Sequence, residues 1–145
     1  MIIKKLVLTL LILFFTVGIV HAEVYGDVED ADYIGNFDGD TITFNLIHYP
    51  DIIGKNIRVR VEGLDTPEIK GKCENEILQA KVLKKYVHDE LSEADVIKIV
   101  HVQRDKYFRI LGDIVYDGKS LKETLLKHPA VYPYDGGTKI NHWCK

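Results

Sequence analysis

The hydrophobic period of this chain switches three times, and those switches constrain the fold more than any single residue does. From Thr41 to Leu46, Ile42, Phe44 and Leu46 alternate with Thr41, Thr43 and Asn45. From Ile57 to Glu62, Ile57, Val59 and Val61 alternate with Arg58, Arg60 and Glu62. A period of two turns one side of a segment to a core and the other to water, so both stretches predict half-buried strands. Tyr49-Pro50-Asp51 and Gly54 suit the loop between them. From Glu74 to about Leu91 the period becomes helical. Ala80, Leu83, Val87 and Leu91 fall on one stripe with Tyr86 beside it, while Lys81, Lys84, Lys85 and Glu90 face water. Val96 to Val102 is apolar and β-branched, and Arg109 to Tyr116 follows as another strand, ended by the Asp117-Gly118 turn. Ser120 with Glu123 three residues on resembles a capping box, opening a short helix that Pro129 ends. From Ala130 onward the tail reads as irregular and aromatic.

With the region from Tyr33 to Glu62 read as three strands, the order is three strands, a helix, two strands and a helix. That order predicts a mainly β, α+β domain: an OB-type five-stranded barrel with a helix between strands 3 and 4 and a C-terminal helix. A length of 145 residues without repeats or linkers fits one domain. The first stretch stands apart. Lys4 and Lys5 precede an uncharged run from Leu6 to Val20, followed by Val20-His21-Ala22. This is the layout of a signal peptide, residues 1–22, cleaved after Ala22. The run is short for a membrane span, which needs about 20 apolar residues. Residues 23–145 are then the mature domain, secreted or periplasmic. The chain carries 19 basic and 22 acidic residues, so loss of Lys4 and Lys5 leaves 17 against 22, a net charge of −5. Such a balance argues against broad electrostatic binding of nucleic acid, so any phosphate-binding site must be local. In an exported protein, Cys73 and Cys144 suggest one disulfide, with free thiols or a zinc site near His142 as alternatives.

Two acidic segments carry the chemistry. Asp38-Gly39-Asp40-Thr41 lies at a strand start, and Asp65-Thr66-Pro67-Glu68 lies just after a strand. Alone, each reads as a turn. Together they can meet at one rim of a barrel. There Asp40, Asp65 and a nearby carbonyl supply the oxygen ligands that a hard cation such as Ca²⁺ prefers. Glu68 is a further carboxylate, available as base for an attacking water, and Pro67 fixes the backbone between ligand and base. Arg60 and Arg109 present planar forks that match phosphate oxygens. Metal, arginines and a base are what hydrolysis of a phosphodiester requires.

The ordered series Asp38-Gly39-Asp40-Thr41, Arg60, Asp65-Thr66-Pro67-Glu68 and Asp105-Lys106-Tyr107-Phe108-Arg109 resembles the staphylococcal nuclease (thermonuclease) family, and the likeness continues through Gly118-Lys119-Ser120-Leu121. It covers roughly residues 36–134. The resemblance implies Ca²⁺ held by Asp40, Asp65 and the backbone carbonyl of Thr66, Glu68 as general base, and Arg60 and Arg109 on the phosphate. It implies a nucleotide pocket with Lys106, Tyr107 and Tyr134, for which Tyr132 competes. It also implies hydrolysis of DNA and/or RNA to 3′-phosphate ends. The enzyme is expected to be exported, on its signal peptide, and to be a monomer. Two departures stand out: His128-Pro129-Ala130 where the family usually has Gly-Leu-Ala, and Phe108 where it usually has Gly.

Other chemistries lack their patterns. The six histidines show no metal-ligand spacing, no serine sits in a nucleophile elbow, and no Gly-rich loop has phosphate-cradling spacing. The alternative reading is a non-catalytic OB-type module of the cell envelope that binds nucleic acid or protein.

Overall fold

The computed structural model describes residues 24–105 and 107–144, so the signal-peptide expectation for residues 1–22 and the pocket role of Lys106 lie outside the described residues. Five longer strands form the body: β1 (Ala31–Asn36), β2 (Thr41–Leu46), β3 (Ile57–Val61), β5 (Ile97–Arg104) and β6 (Ile110–Tyr116). They lie in the order β1-β2-β3-β6-β5. All neighbours are antiparallel except β3 and β6, which run parallel with Val59 opposite Ile110. Three two-residue strands complete the set: β4 (Leu64–Asp65), β7 (Lys119–Ser120) and β8 (Tyr132–Pro133).

The alternation in the sequence becomes the core. Ile42, Phe44, Val59 and Val61 are fully buried, and Leu46 nearly so. The helix α2 (Glu74–Ser92) lies between the third and fourth long strands, as expected, and buries Ala80, Leu83, Val87 and Leu91. Its stripe packs Leu83, Val87 and Leu91 into the same core cluster as the sheet. A four-residue helix α1 (Asp51–Gly54) sits in the loop between β2 and β3. Helix α3 (Leu121–Leu125) is capped by Ser120, whose Oγ accepts from the Glu123 amide at 3.1 Å. Asp117 (φ 46°) and Gly118 (φ 78°) form the tight turn from β6 into β7, a pair of left-handed residues of the kind that short hairpins require.

The fold is a mixed α+β structure consistent with the OB-like expectation, but strand pairing does not close the barrel. At the seam, the lead-in segment pairs with β5 instead of β1. Val28 and Ile99 exchange two backbone hydrogen bonds of 2.8 and 2.9 Å, and the Tyr25 amide donates to the Val102 carbonyl. The tail differs from the sequence expectation more sharply. It is not irregular throughout, because Tyr132–Pro133 pairs antiparallel with Leu64–Asp65. This short ladder lays the C-terminal segment beside one of the acidic motifs. Cys73 and Cys144 are joined in a disulfide with Cα atoms 5.8 Å apart, which removes both sulfurs as zinc ligands. Among the described residues no helix is long and apolar enough to cross a membrane.

Candidate active site

The first acidic loop is shaped by its own polar atoms. Asp38 Oδ1 accepts from the Asp40 and Thr41 amides at 3.2 and 2.8 Å, so the backbone turns before β2 begins. Asn36 Nδ2 donates to the carbonyls of Asp38 and Lys84, tying the loop to α2. Gly39 leaves no room for more: a Cβ there would lie 2.4 Å from Leu83 Cδ2. The result is a buried Asp40, only 1% exposed, whose carbonyl accepts from the Val61 amide at 2.8 Å. Burial pushes the Asp40 carboxyl up to about 7; the Arg60 guanidinium opposes this, Asp38 adds to it, and hydrogen bonds from Thr66 and Thr41 oppose it.

Arg60, on the polar face of β3, ties the two acidic segments together. Its Nη1 donates to Asp40 Oδ1 at 2.7 Å, while Nη2 lies 3.8 Å from Asp65 Oδ1 and 3.5 Å from the Leu64 carbonyl. Asp65 and Thr66 are both buried. Asp65 Oδ1 is buried and makes no hydrogen bond among the described residues. The Lys139 ammonium stands 2.6 Å from it as an ion pair. Two buried carboxylates gathered around one guanidinium are a donor set that fits a hard divalent cation.

Glu68 borders this centre. Its side chain is 45% exposed, and Oε1 accepts from Lys139 Nζ at 3.0 Å. The loop that carries it is braced by Glu76, a buried carboxylate on α2. Glu76 accepts from the Lys72 amide at 2.8 Å, from the Glu68 amide at 3.4 Å and from Asn141 Nδ2 at 3.3 Å. The same residue therefore sets both the Glu68 loop and the tail.

Arg109 approaches from the β5–β6 connection. Asp105 Oδ2 accepts from its Nε at 2.7 Å, and Asp105 Oδ1 accepts from the amides of Tyr107 and Arg109. Burial alone would raise the Asp105 carboxyl, but these hydrogen bonds and the guanidinium charge together lower it. The Arg109 guanidinium lies 5.5 Å from the Tyr107 ring centre. A cleft of about 730 Å³ brings Arg60, Glu68, Tyr107, Arg109, Tyr134 and Lys139 together. Tyr132 does not line that cleft. It stacks on His142 at 3.8 Å, against a separate groove beside α2. The structure thus places Tyr134, and not Tyr132, with the arginines.

Comparison with known proteins identifies the family: the family model described as staphylococcal nuclease homologue matches residues 58–134, more than half of the chain. The chain belongs to this family. It is 31% identical over 99 residues to the staphylococcal-like nuclease CAN1 of Arabidopsis thaliana, covering 64% of this chain and 28% of that protein. It is 34% identical over 105 residues to the probable staphylococcal-like nuclease CAN1 of Oryza sativa subsp. japonica, covering 66% and 28%. To the SPbeta prophage-derived endonuclease YokF of Bacillus subtilis it is 33% identical over 119 residues, covering 80% and 34%. The matched stretch is thus about a third or less of each relative's length.

Three residues around this nuclease-family site escape a reading of the sequence. Glu76 leaves a trace, because it continues the buried stripe of Ala80, Leu83, Val87 and Leu91 one turn earlier with a carboxylate. Asp105 opens the motif that contains Arg109, at the spacing of four that their ion pair uses. Lys139 leaves none: it is one of two lysines in a tail without periodicity.

Proposed function

We propose that this chain is an exported, Ca²⁺-dependent nuclease that hydrolyses phosphodiester bonds of DNA or RNA to 3′-phosphate products. The observation that carries this reading is the Arg60 bridge, which holds two buried carboxylates together at the edge of a cleft containing Glu68 and Arg109. Asp40, Asp65 and the Thr66 carbonyl would hold the cation. Bound Ca²⁺ supplies Lewis-acid neutralisation of charge on the phosphoryl group. Arg60 has donors beyond those it gives Asp40 and the Leu64 carbonyl, and these bind a phosphate oxygen from the cleft wall. Arg109, fixed by Asp105, binds the phosphate from the opposite element and stabilises charge as it develops. Glu68 takes the proton of the attacking water, whose oxygen bonds to phosphorus as the 5′-oxygen departs. Tyr107, Lys106 and Tyr134 bind the nucleotide. The disulfide supports an oxidising destination, outside the cytoplasm.

The test is cleavage of single- and double-stranded DNA and of RNA by the purified protein with Ca²⁺ and then with chelator, with end analysis of the products. Ca²⁺-dependent cleavage to 3′-phosphates is expected. Binding of nucleic acid by folded protein without cleavage, across Ca²⁺, Mg²⁺ and Mn²⁺, would replace this reading with that of a binding module.

A further inference from the structure

The residues after Tyr134 form a strap across the candidate site, and Lys139 is its midpoint. One end is fixed on β4: Asp65 is paired with Tyr132, and the Tyr134 amide donates to the Gly63 carbonyl at 3.1 Å. The chain then turns back. Gly136 has φ 90°, the Gly137 amide donates to Asp135 Oδ1 at 3.0 Å, and Tyr134 Oη donates to the Gly137 carbonyl at 2.7 Å. The far end is fixed on α2. The Trp143 carbonyl accepts from Asn75 Nδ2 at 2.8 Å, and Cys144 is bonded to Cys73 at the helix N-cap. Between these anchors Lys139 puts one ammonium against two carboxylates, Asp65 Oδ1 and Glu68 Oε1.

From this geometry we infer that Lys139 is a built-in counter-ion of the site, one that a divalent cation must displace, and that the Cys73–Cys144 bridge holds it in place. The inference rests on the proposed cation site at Asp40 and Asp65. The Asp65 carboxylate is buried and Arg60 comes no nearer its Oδ1 than 3.8 Å, so in the absence of a cation its charge requires a closer partner. A tethered ammonium meets it at the high effective concentration of an intramolecular ligand. An ammonium and a divalent cation cannot both occupy the face of Asp65 Oδ1 where Lys139 now stands. Lys139 itself is 43% exposed, so water can receive it when it leaves. The strap therefore lowers the cation affinity of the site without touching its ligands.

The experiment is calorimetric titration of Ca²⁺ into the full exported protein, with thermal unfolding followed in parallel. A site whose competent form is populated on the order of a tenth of the time binds about tenfold more weakly than its intrinsic affinity. Lys139→Gln should therefore bind Ca²⁺ about tenfold more tightly than the wild type and gain more in melting temperature when saturated. Lys139→Arg, which keeps the charge, should stay near the wild type. Reduction of the disulfide should tighten Ca²⁺ binding in the wild type but not add to the effect of Lys139→Gln. That arm remains informative if the Gln variant folds poorly. Equal or weaker binding by folded Lys139→Gln, or no change on reduction of the wild type, overturns the inference. Asp65→Asn separates the two levels. If it abolishes Ca²⁺ binding while Lys139→Gln changes nothing, only the counter-ion role fails. If Asp65→Asn binds as the wild type does, the cation site itself fails, and the counter-ion role with it.

Discussion

At the scale of single residues, the candidate site is a contest between burial and charge. Asp40 loses most of its water, and even a guanidinium at 2.7 Å does not restore an ordinary carboxylate range. The consequence for stability has a definite sign. In the folded chain the carboxyl keeps its proton up to about 7, whereas unfolded chain releases it near 4. Between these values the folded state binds more protons, so stability falls as pH rises through that window and the penalty persists above it. In chelator, the urea midpoint should drop from pH 5 to pH 7.5 by more in wild type than in Asp40→Asn; equal drops would show that Asp40 does not titrate there. In the proposed mechanism Glu68 and Arg109 act on the substrate instead. Glu68→Gln and Arg109→Ala should each lower the cleavage rate on the order of 10²-fold or more while leaving the melting temperature nearly unchanged. Full activity in either variant would remove that residue from the mechanism. Phe108 carries a cost of another kind. Its φ of 66° is a left-handed conformation that explains why glycine suits the position. The Arg104 guanidinium, 4.4 Å from its ring centre, partly offsets that strain.

At the scale of elements, the two acidic segments meet because α2 and β3 hold them from different sides. Helix α2 packs so closely on the first loop that Gly39 faces Leu83, a fully buried core residue. A methyl group there cannot be absorbed without moving the loop or repacking the core. Gly39→Ala should cost on the order of 1–3 kcal/mol in chemical denaturation and weaken Ca²⁺ binding, since Asp40 is the next residue. Unchanged stability and unchanged Ca²⁺ affinity would mean that the helix–loop contact does not position Asp40. Strand β3 contributes from the other side. Its parallel pairing with β6 sets Arg60 opposite Leu111, two positions past Arg109. That register is what brings the two arginines to a single cleft from segments about fifty residues apart.

At the scale of the whole molecule, the disulfide joins the N-cap of α2 to the end of the tail across a separation of 71 residues. On the chain-entropy view, a loop of this length gives about 4 kcal/mol. Mass spectrometry of exported protein should show Cys73 linked to Cys144, and reduction should lower the melting temperature by several degrees or more; two alkylatable thiols in the exported protein would refute the bridge. The sequence by itself marked four of the five longer strands, β2, β3, β5 and β6, with the main helix and its buried stripe; the strand before β2 is counted only within the stretch from Tyr33 to Glu62. These follow from periodicity, a local property that survives in any context where one face is buried. It also marked Asp40, Asp65, Glu68, Arg60 and Arg109, because acidic turns and arginines recur in a recognisable order. Only the tertiary structure decided how they are joined: Arg60 spanning both carboxylates, Glu76 bracing the Glu68 loop, and the open seam at β5. It alone placed the tail on β4, and with it Tyr134 in the cleft and Lys139 on Asp65. Those features depend on a two-residue ladder and on ion pairs between segments distant in sequence, and neither leaves a periodic signature in the chain.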